Sequence, residues 1–311
     1  MPANVVLFPR AVEPKSQPEQ KSFGNFSSSG PFGAATAPFV PGGGDLQKDM
    51  KLALPIGRLD DRRSLLRKLD RTKAALDEAQ RDGIDGSREQ AYRMLLSAVD
   101  DAFDLSKEDS RLVARYVTAT LVQPENIDKK WKNYNNYVDN ATTLGKLLLL
   151  ARRLCERGCS FVTVTTNFVW DMHADVNNAP VGEGMRYMGV PFDYAVSAFI
   201  EDVHQRGLSD KILLVCCGEM SRTPKLNKNG GRDHWGNLAP LLLSGGGLNM
   251  GQVIGQSSRT ASEPASEPIR NRHLIATVLH TLFDVGRLRV QRNLPREVQQ
   301  MLEWDGIPGV A

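Results

Sequence analysis

Apolar positions along the chain first fall at helical spacing and later alternate between helical stretches and short continuous apolar runs. The initial VVLFP reads as one strand, and Ser22 to Gly44, rich in Gly, Ser, Phe and Pro and without a period, reads as loop. Phe23, Phe26, Phe32 and Phe39 are more aromatics than a free loop carries, which suggests a segment laid across an apolar surface. From Asp60 the spacing is helical, with Leu59, Leu65, Leu66, Leu69 and Leu76 on one stripe and acids near its start. Ser87 to Phe103 repeats it with Tyr92, Leu95, Leu96 and Val99, and Ser106-Lys-Glu-Asp109 can open a third helix. The run NIDKKWKNYNNYVDN predicts helix and loop anchored by Trp131, Tyr134 and Tyr137.

After Thr142 the pattern becomes α/β. Leu144 to Arg157 predicts a helix ending at Gly158, Ser160 to Thr166 a β-branched strand, and Phe192 to Gln205 an amphipathic helix closed by Gly207. Lys211 to Cys217 and Leu238 to Ser244 predict two further strands. Helices alternating with near-continuous apolar strands predict a mainly parallel sheet buried on both faces, with any site beyond the carboxyl ends of its strands.

Composition narrows the classes. The 311 residues are 41% hydrophobic and 24% charged, with a formal net charge of +3, so charge implies neither a nucleic-acid nor a membrane partner. The longest apolar run, Leu147 to Ala151, is too short to span a bilayer, and the first residues lack the basic start and long apolar stretch of an export signal. Lysines interleaved with Trp131, Tyr134 and Tyr137 could stack on single-stranded nucleic acid, but no wider basic patch supports it. Cys155, Cys159, Cys216 and Cys217 read as reduced, buried thiols rather than disulfides or a zinc site, which would need four ligands.

Three polar clusters stand next to the later strands: Trp170-Asp171-Met172-His173, Gly218-Glu219-Met220-Ser221-Arg222 and Gly231-Arg232-Asp233-His234-Trp235. Each alone also suits a hydrogen-bonded turn. Together they supply carboxylate and imidazole donors suited to zinc or another first-row divalent ion, with manganese or magnesium admitted by the carboxylates. Arg222 could hold an anion by a bidentate contact. A carboxylate at Glu219, directly after the apolar VCCG, needs a metal or a salt bridge to Arg222 or Arg232. His204, His273 and His280 fall on helical segments and read as packing or solvent-facing residues. No G-x-S-x-G elbow occurs, and Gly245-Gly246-Gly247 reads as a tight turn rather than a phosphate cradle because no Lys-Ser/Thr follows.

The stretches LLLLARRLCERGCSFVTV, VWDMHADVNN, AVSAFIEDVHQRGLSDKILLVCCGEMSRTPKLNKNGGRDHW and LLLSGGGLNMGQVIG resemble the bacterial family called domain of unknown function 1501, a sulfatase-like branch of the alkaline phosphatase superfamily. Weaker similarity runs through GPFGAATAPF, LDDRRSLLRKLDR and AFDLSKED. The resemblance implies a doubly wound α/β sheet with a helical insertion and a dinuclear metal site cleaving phosphate or sulfate esters. Asp171, His173, Glu219, Asp233 and His234 stand at the matching positions, and Arg222 or Arg232 would clamp the anion. Where many relatives read Gly-Glu-Phe-Gly-Arg, this chain has Gly218-Glu219-Met220-Ser221-Arg222.

Superfamily members take their nucleophile and a further aspartate from an amino-terminal strand and loop, a region this chain is expected to lack. Relatives often carry a twin-arginine export signal there, and cellular location stays open. The expected organisation is a strand and extended segment over 1–58, a helical region over 59–140, and the α/β metal-site half over 141–311. The leading expectation is a metal-dependent phospho- or sulfohydrolase. The alternative is a non-catalytic remnant whose polar clusters are hydrogen-bonded scaffolding, and a further one is an interaction protein built on residues 60 to 140.

Overall fold

The computed structural model describes residues 1–21, 24–33, 36–42, 55–72, 100–166 and 170–310. They form two compact units, one of Met1–Trp170, Val176–Asn178 and Gly182–Phe199, the other of Asp171–Asp175, Ala179–Val181 and Ile200–Ala311.

The first unit is built around β1 (Asn4–Leu7), α1 (Ile56–Thr72), α2 (Asp100–Phe103), α3 (Ser110–Arg115), α4 (Tyr134–Glu156), β2 (Phe161–Val164) and most of α5 (Val181–Gln205). β1 and β2 pair in parallel, Val5 opposite Val162 and Leu7 opposite Val164. Leu147, Leu150, Ala151 and Leu154 recur at the spacing that puts them on one face of α4, and they bury Val5, Leu7, Ala102 and Phe103. Phe39 joins this core: it exchanges backbone hydrogen bonds with Asn4 and Val6, each 2.9 Å, and meets the Phe103 ring edge-on. Among the described phenylalanines of this loop, Phe26 and Phe32 stay exposed and Phe39 packs on the core. Phe23, Leu76, Tyr92, Leu95, Leu96 and Val99 lie outside the described residues.

Both long helices extend beyond their predicted starts. The Asn-rich first turns of α4 bury Tyr137, Asn140 and Ala141. α5 contains Pro191, which cannot donate to the Tyr187 carbonyl one turn back. The buried Asn140 side chain donates to that carbonyl at 2.9 Å, so α4 repairs the bond that proline removes from α5. Asp109 caps α3 by accepting from the Arg111 amide at 2.7 Å. Arg152 and Arg153 share Glu108, and Glu156 also pairs with the fully buried Arg152.

The second unit holds β3 (Leu213–Cys217), β4 (Ser221–Arg222), β5 (His234–Trp235), β6 (Leu241–Gly245), α6 (Asn271–Leu282), α7 (Val285–Arg289) and α8 (Arg296–Leu302). β3 and β6 pair antiparallel, Val215 opposite Leu243, and β4 and β5 form a short antiparallel hairpin. Gly245, Gly246 and Gly247 all have positive φ, and a Cβ on Gly246 would stand 2.9 Å from both Leu213 Cβ and Thr281 Cγ2. This is the tight turn that the sequence suggests.

The expected doubly wound, mainly parallel sheet of alkaline phosphatase/sulfatase type is overturned. The described strands make only three separate two-stranded ladders, and β1–β2 alone is parallel. A parallel connection needs a crossover, usually helical, whereas residues 218–240 between β3 and β6 contain only the β4–β5 hairpin, so an antiparallel return is open to them. Nor are these strands buried on both faces: Cys217, Leu241 and Leu242 are exposed. No helix among the described residues is long and apolar enough to cross a membrane.

Candidate metal centre

Asp171 and His173 are two apart on a segment without regular secondary structure, while Arg222 and His234 are direct partners in the β4–β5 ladder. Thr223 ties the hairpin's far side: its amide donates to the Asp233 carbonyl at 2.8 Å, and its hydroxyl accepts from the Asp233 amide at 3.1 Å. The Arg232 amide donates to the Met172 carbonyl at 2.9 Å, clipping the two segments together. Gly231 makes this approach possible, since a Cβ there would collide with the His173 carbonyl and stand 2.7 Å from the Ala174 nitrogen. Ala174 turns the chain with φ of 56°.

Three donor atoms converge as a result. His234 Nε2 lies 3.2 Å from Asp171 Oδ1 and 3.1 Å from His173 Nε2, and His173 Nε2 lies 3.7 Å from Asp171 Oδ1. Asp171 is buried, His173 partly so, and His234 is exposed, so the group can hold a metal ion and opens to solvent on one side. Four tetrahedral ligands with bonds of about 2.0–2.1 Å stand about 3.3 Å apart, close to the separations found here. One carboxylate and two imidazoles would leave a fourth tetrahedral position open.

The remaining predicted residues take different places. Asp233 Oδ1 approaches His173 on its other ring nitrogen, Nδ1, at 3.3 Å. Arg222 donates to Asp171 Oδ1 and reaches Glu219 Oε1 at 3.3 Å. Glu219 itself is 64% exposed at its side chain and stands outside the three-donor group. Arg232 donates from Nη1 to the Thr223 carbonyl at 3.1 Å, and its buried Nε has no hydrogen-bond partner among the described residues.

Sequence reading did not single out Asn227. Its Nδ2 donates to the His173 carbonyl at 2.9 Å and lies 3.3 Å from Asp233 Oδ1, while its Oδ1 accepts from the Asn229 and Gly231 amides at 3.0 and 2.9 Å. Asn-Lys-Asn-Gly-Gly was readable as an Asx turn, but nothing local in it announces contact with a residue more than fifty positions earlier. Of the cysteines, all four are free, and burial, helped by the neighbouring thiol, pushes Cys155 up to about 12 and Cys216 to about 11. Both are thiols at neutral pH and poor nucleophiles.

An Asp-His-His group shared between the 171–173 segment and the β4–β5 hairpin, backed by a carboxylate on one histidine and an arginine on the aspartate, defines a protein with a candidate mononuclear metal centre. The chain belongs to the family described as "Protein of unknown function (DUF1501)", whose match covers residues 1–293. No curated protein and no solved structure matches it.

Proposed function

We propose that this chain is a metal-dependent hydrolase of phosphate or sulfate esters, with Asp171, His173 and His234 binding a divalent ion, zinc by the chemistry of the donors. The convergence of Asp171 Oδ1 with the two Nε2 atoms supports it. With Nδ1 of a neutral His173 donating to Asp233, its Nε2 carries a bare lone pair. His234 Nε2 faces both that lone pair and Asp171 Oδ1. A cation satisfies all three donors at once.

Each protein group then has a task. Asp233 fixes the tautomer and ring orientation of His173, leaving Nε2 as the donor. Arg222 holds Asp171 in place, and its guanidinium is the group that would bind the ester anion. When bound, the ion supplies a Lewis acid for an ester oxygen and a water of lowered pKa. Arg232, held on Thr223, stiffens the hairpin that carries His234.

The test is hydrolysis of p-nitrophenyl phosphate and p-nitrophenyl sulfate by chelator-stripped protein before and after reloading with zinc or manganese. Turnover of one ester that returns with metal and disappears in Asp171→Ala is expected. One observation favours the non-catalytic alternative: Arg222 donates to the same Asp171 oxygen that faces His234, as in a structural salt bridge. Metal-loaded protein inert toward both esters, or turnover indifferent to chelation, would overturn the hydrolase reading.

A further inference from the structure

We infer that Asn227 is a positioning residue for this centre, holding the metal-binding His173 directly at its backbone and through Asp233 at its ring; the inference rests on the metal reading above. An asparagine that merely makes a turn uses its side-chain oxygen and leaves its amide nitrogen to water. Here the oxygen accepts from the Asn229 and Gly231 amides, which also forces the assignment of the two amide atoms. The nitrogen faces inward, toward the backbone carbonyl of His173 at 2.9 Å and toward Asp233 Oδ1 at 3.3 Å. That same Asp233 oxygen lies 3.3 Å from His173 Nδ1.

One side chain therefore sets the backbone of His173 directly and its ring through Asp233. Asp233 is 59% exposed at its side chain, so it needs such a tie to stay on the ring rather than turn to water. Neither Asn227 nor Asp233 shares the point where the three donors converge. Outer partners of this kind matter because a ligand free to rotate loses its preorganisation, and their removal typically weakens metal binding by about 10–100-fold.

Asn227→Asp separates positioning from turn formation. It keeps the oxygen that accepts from Asn229 and Gly231 but sets a carboxylate oxygen against the His173 carbonyl and the Asp233 carboxylate. Zinc affinity would be measured by competition with a chromophoric chelator for the wild type, Asn227→Asp, Asp233→Asn and the double variant. The expected result is a loss of about 10–100-fold in each single variant and a loss in the double that is clearly smaller than the product of the two, because Asn227 holds the His173 ring through Asp233. Unchanged affinity in Asn227→Asp, or losses that simply multiply, would overturn the inference while leaving the metal centre standing.

The metal-free protein gives a second readout, the 15N shifts of the His173 ring. They should report one tautomer, protonated on Nδ1, in the wild type and a mixture in both single variants. Wild-type protein that binds no zinc would sink the metal reading. Asn227 would then be judged by the tautomer alone, a mixture in the variant supporting the role and an unchanged ring refuting it.

Discussion

Gly231→Ala is the smallest change that should disturb the centre without touching a donor. Its backbone φ lies outside the left-handed region, so alanine meets no conformational barrier and should gain up to about 1 kcal/mol by restricting the unfolded chain. Space decides the other way. The added Cβ would stand 2.7 Å from the Ala174 nitrogen, where ordinary contact begins at 3.4 Å, and would overlap the His173 carbonyl outright. The loop and the His173 segment must part by at least the difference between those distances.

That movement strains the Arg232 to Met172 and Asn227 to His173 hydrogen bonds, both 2.9 Å. Overpacking of this kind costs about 1–3 kcal/mol and each lost hydrogen bond about 1 kcal/mol, so a net destabilisation of about 2–3 kcal/mol is expected. Neighbouring glycines give controls. Gly230 has φ of 84° but its Cβ would find Pro180 only at 3.8 Å, so Gly230→Ala carries backbone strain without collision, about 1 kcal/mol. A Cβ on Gly236 would meet nothing within 4 Å, and Gly236→Ala should match or exceed the wild type. Thermal melts and zinc titrations of the three variants test the ranking, with zinc affinity falling only in Gly231→Ala. Gly231→Ala that melts and binds zinc like Gly236→Ala would refute the steric reasoning.

Two further predictions concern the first unit. Asn140→Ala leaves the Tyr187 carbonyl, already deprived of its helical donor by Pro191, without its 2.9 Å partner, and should cost about 1–3 kcal/mol in urea unfolding; an unchanged midpoint would show that the repair is not needed. At Glu108, burial raises the carboxyl, but hydrogen bonds from Arg153 and Arg152 outweigh it and hold it below the ordinary 4.5. Its stabilisation is therefore fully present above pH 4.5 and is lost as pH falls through the lower folded value. Glu108→Gln should cost about 1–3 kcal/mol at neutral pH, because it removes the carboxylate shared by two buried guanidinium groups that keep Glu156 and the Ala102 and Asp101 carbonyls, and show a shallower acid dependence; parallel stability curves for variant and wild type down to about pH 3 would contradict this.

How far the sequence could be read depends on whether the deciding contacts are local. Leu147, Leu150, Ala151 and Leu154 announce the buried face of α4 through their spacing alone, and Gly158 closes the turn beyond it with φ of 92°. The first turns of both long helices were hidden because Asn136, Asn140, Gly182 and Pro191 are poor helix signals, and their support comes from partners distant in sequence, such as Asn140 for Tyr187. Strand direction is not legible in LLVCC and LLLSG, which look alike in either orientation; residues 218–240, which lack a crossover helix, decide it. At the centre, Asp171, His173 and His234 were legible as residue types, whereas the place of Asp233 on Nδ1 and the reach of Asn227 are set by the hairpin's register against the 171–174 segment.

The central claim is that three side chains bind one ion. Elemental analysis of metal in the purified wild-type protein, beside a variant with Asp171→Ala and His234→Ala together, tests it most directly. About one equivalent of zinc or manganese in the wild type and little in the variant is the predicted result, since the variant keeps only one of the three donors. No metal in the wild type after zinc loading, or equal metal in both proteins, would contradict it.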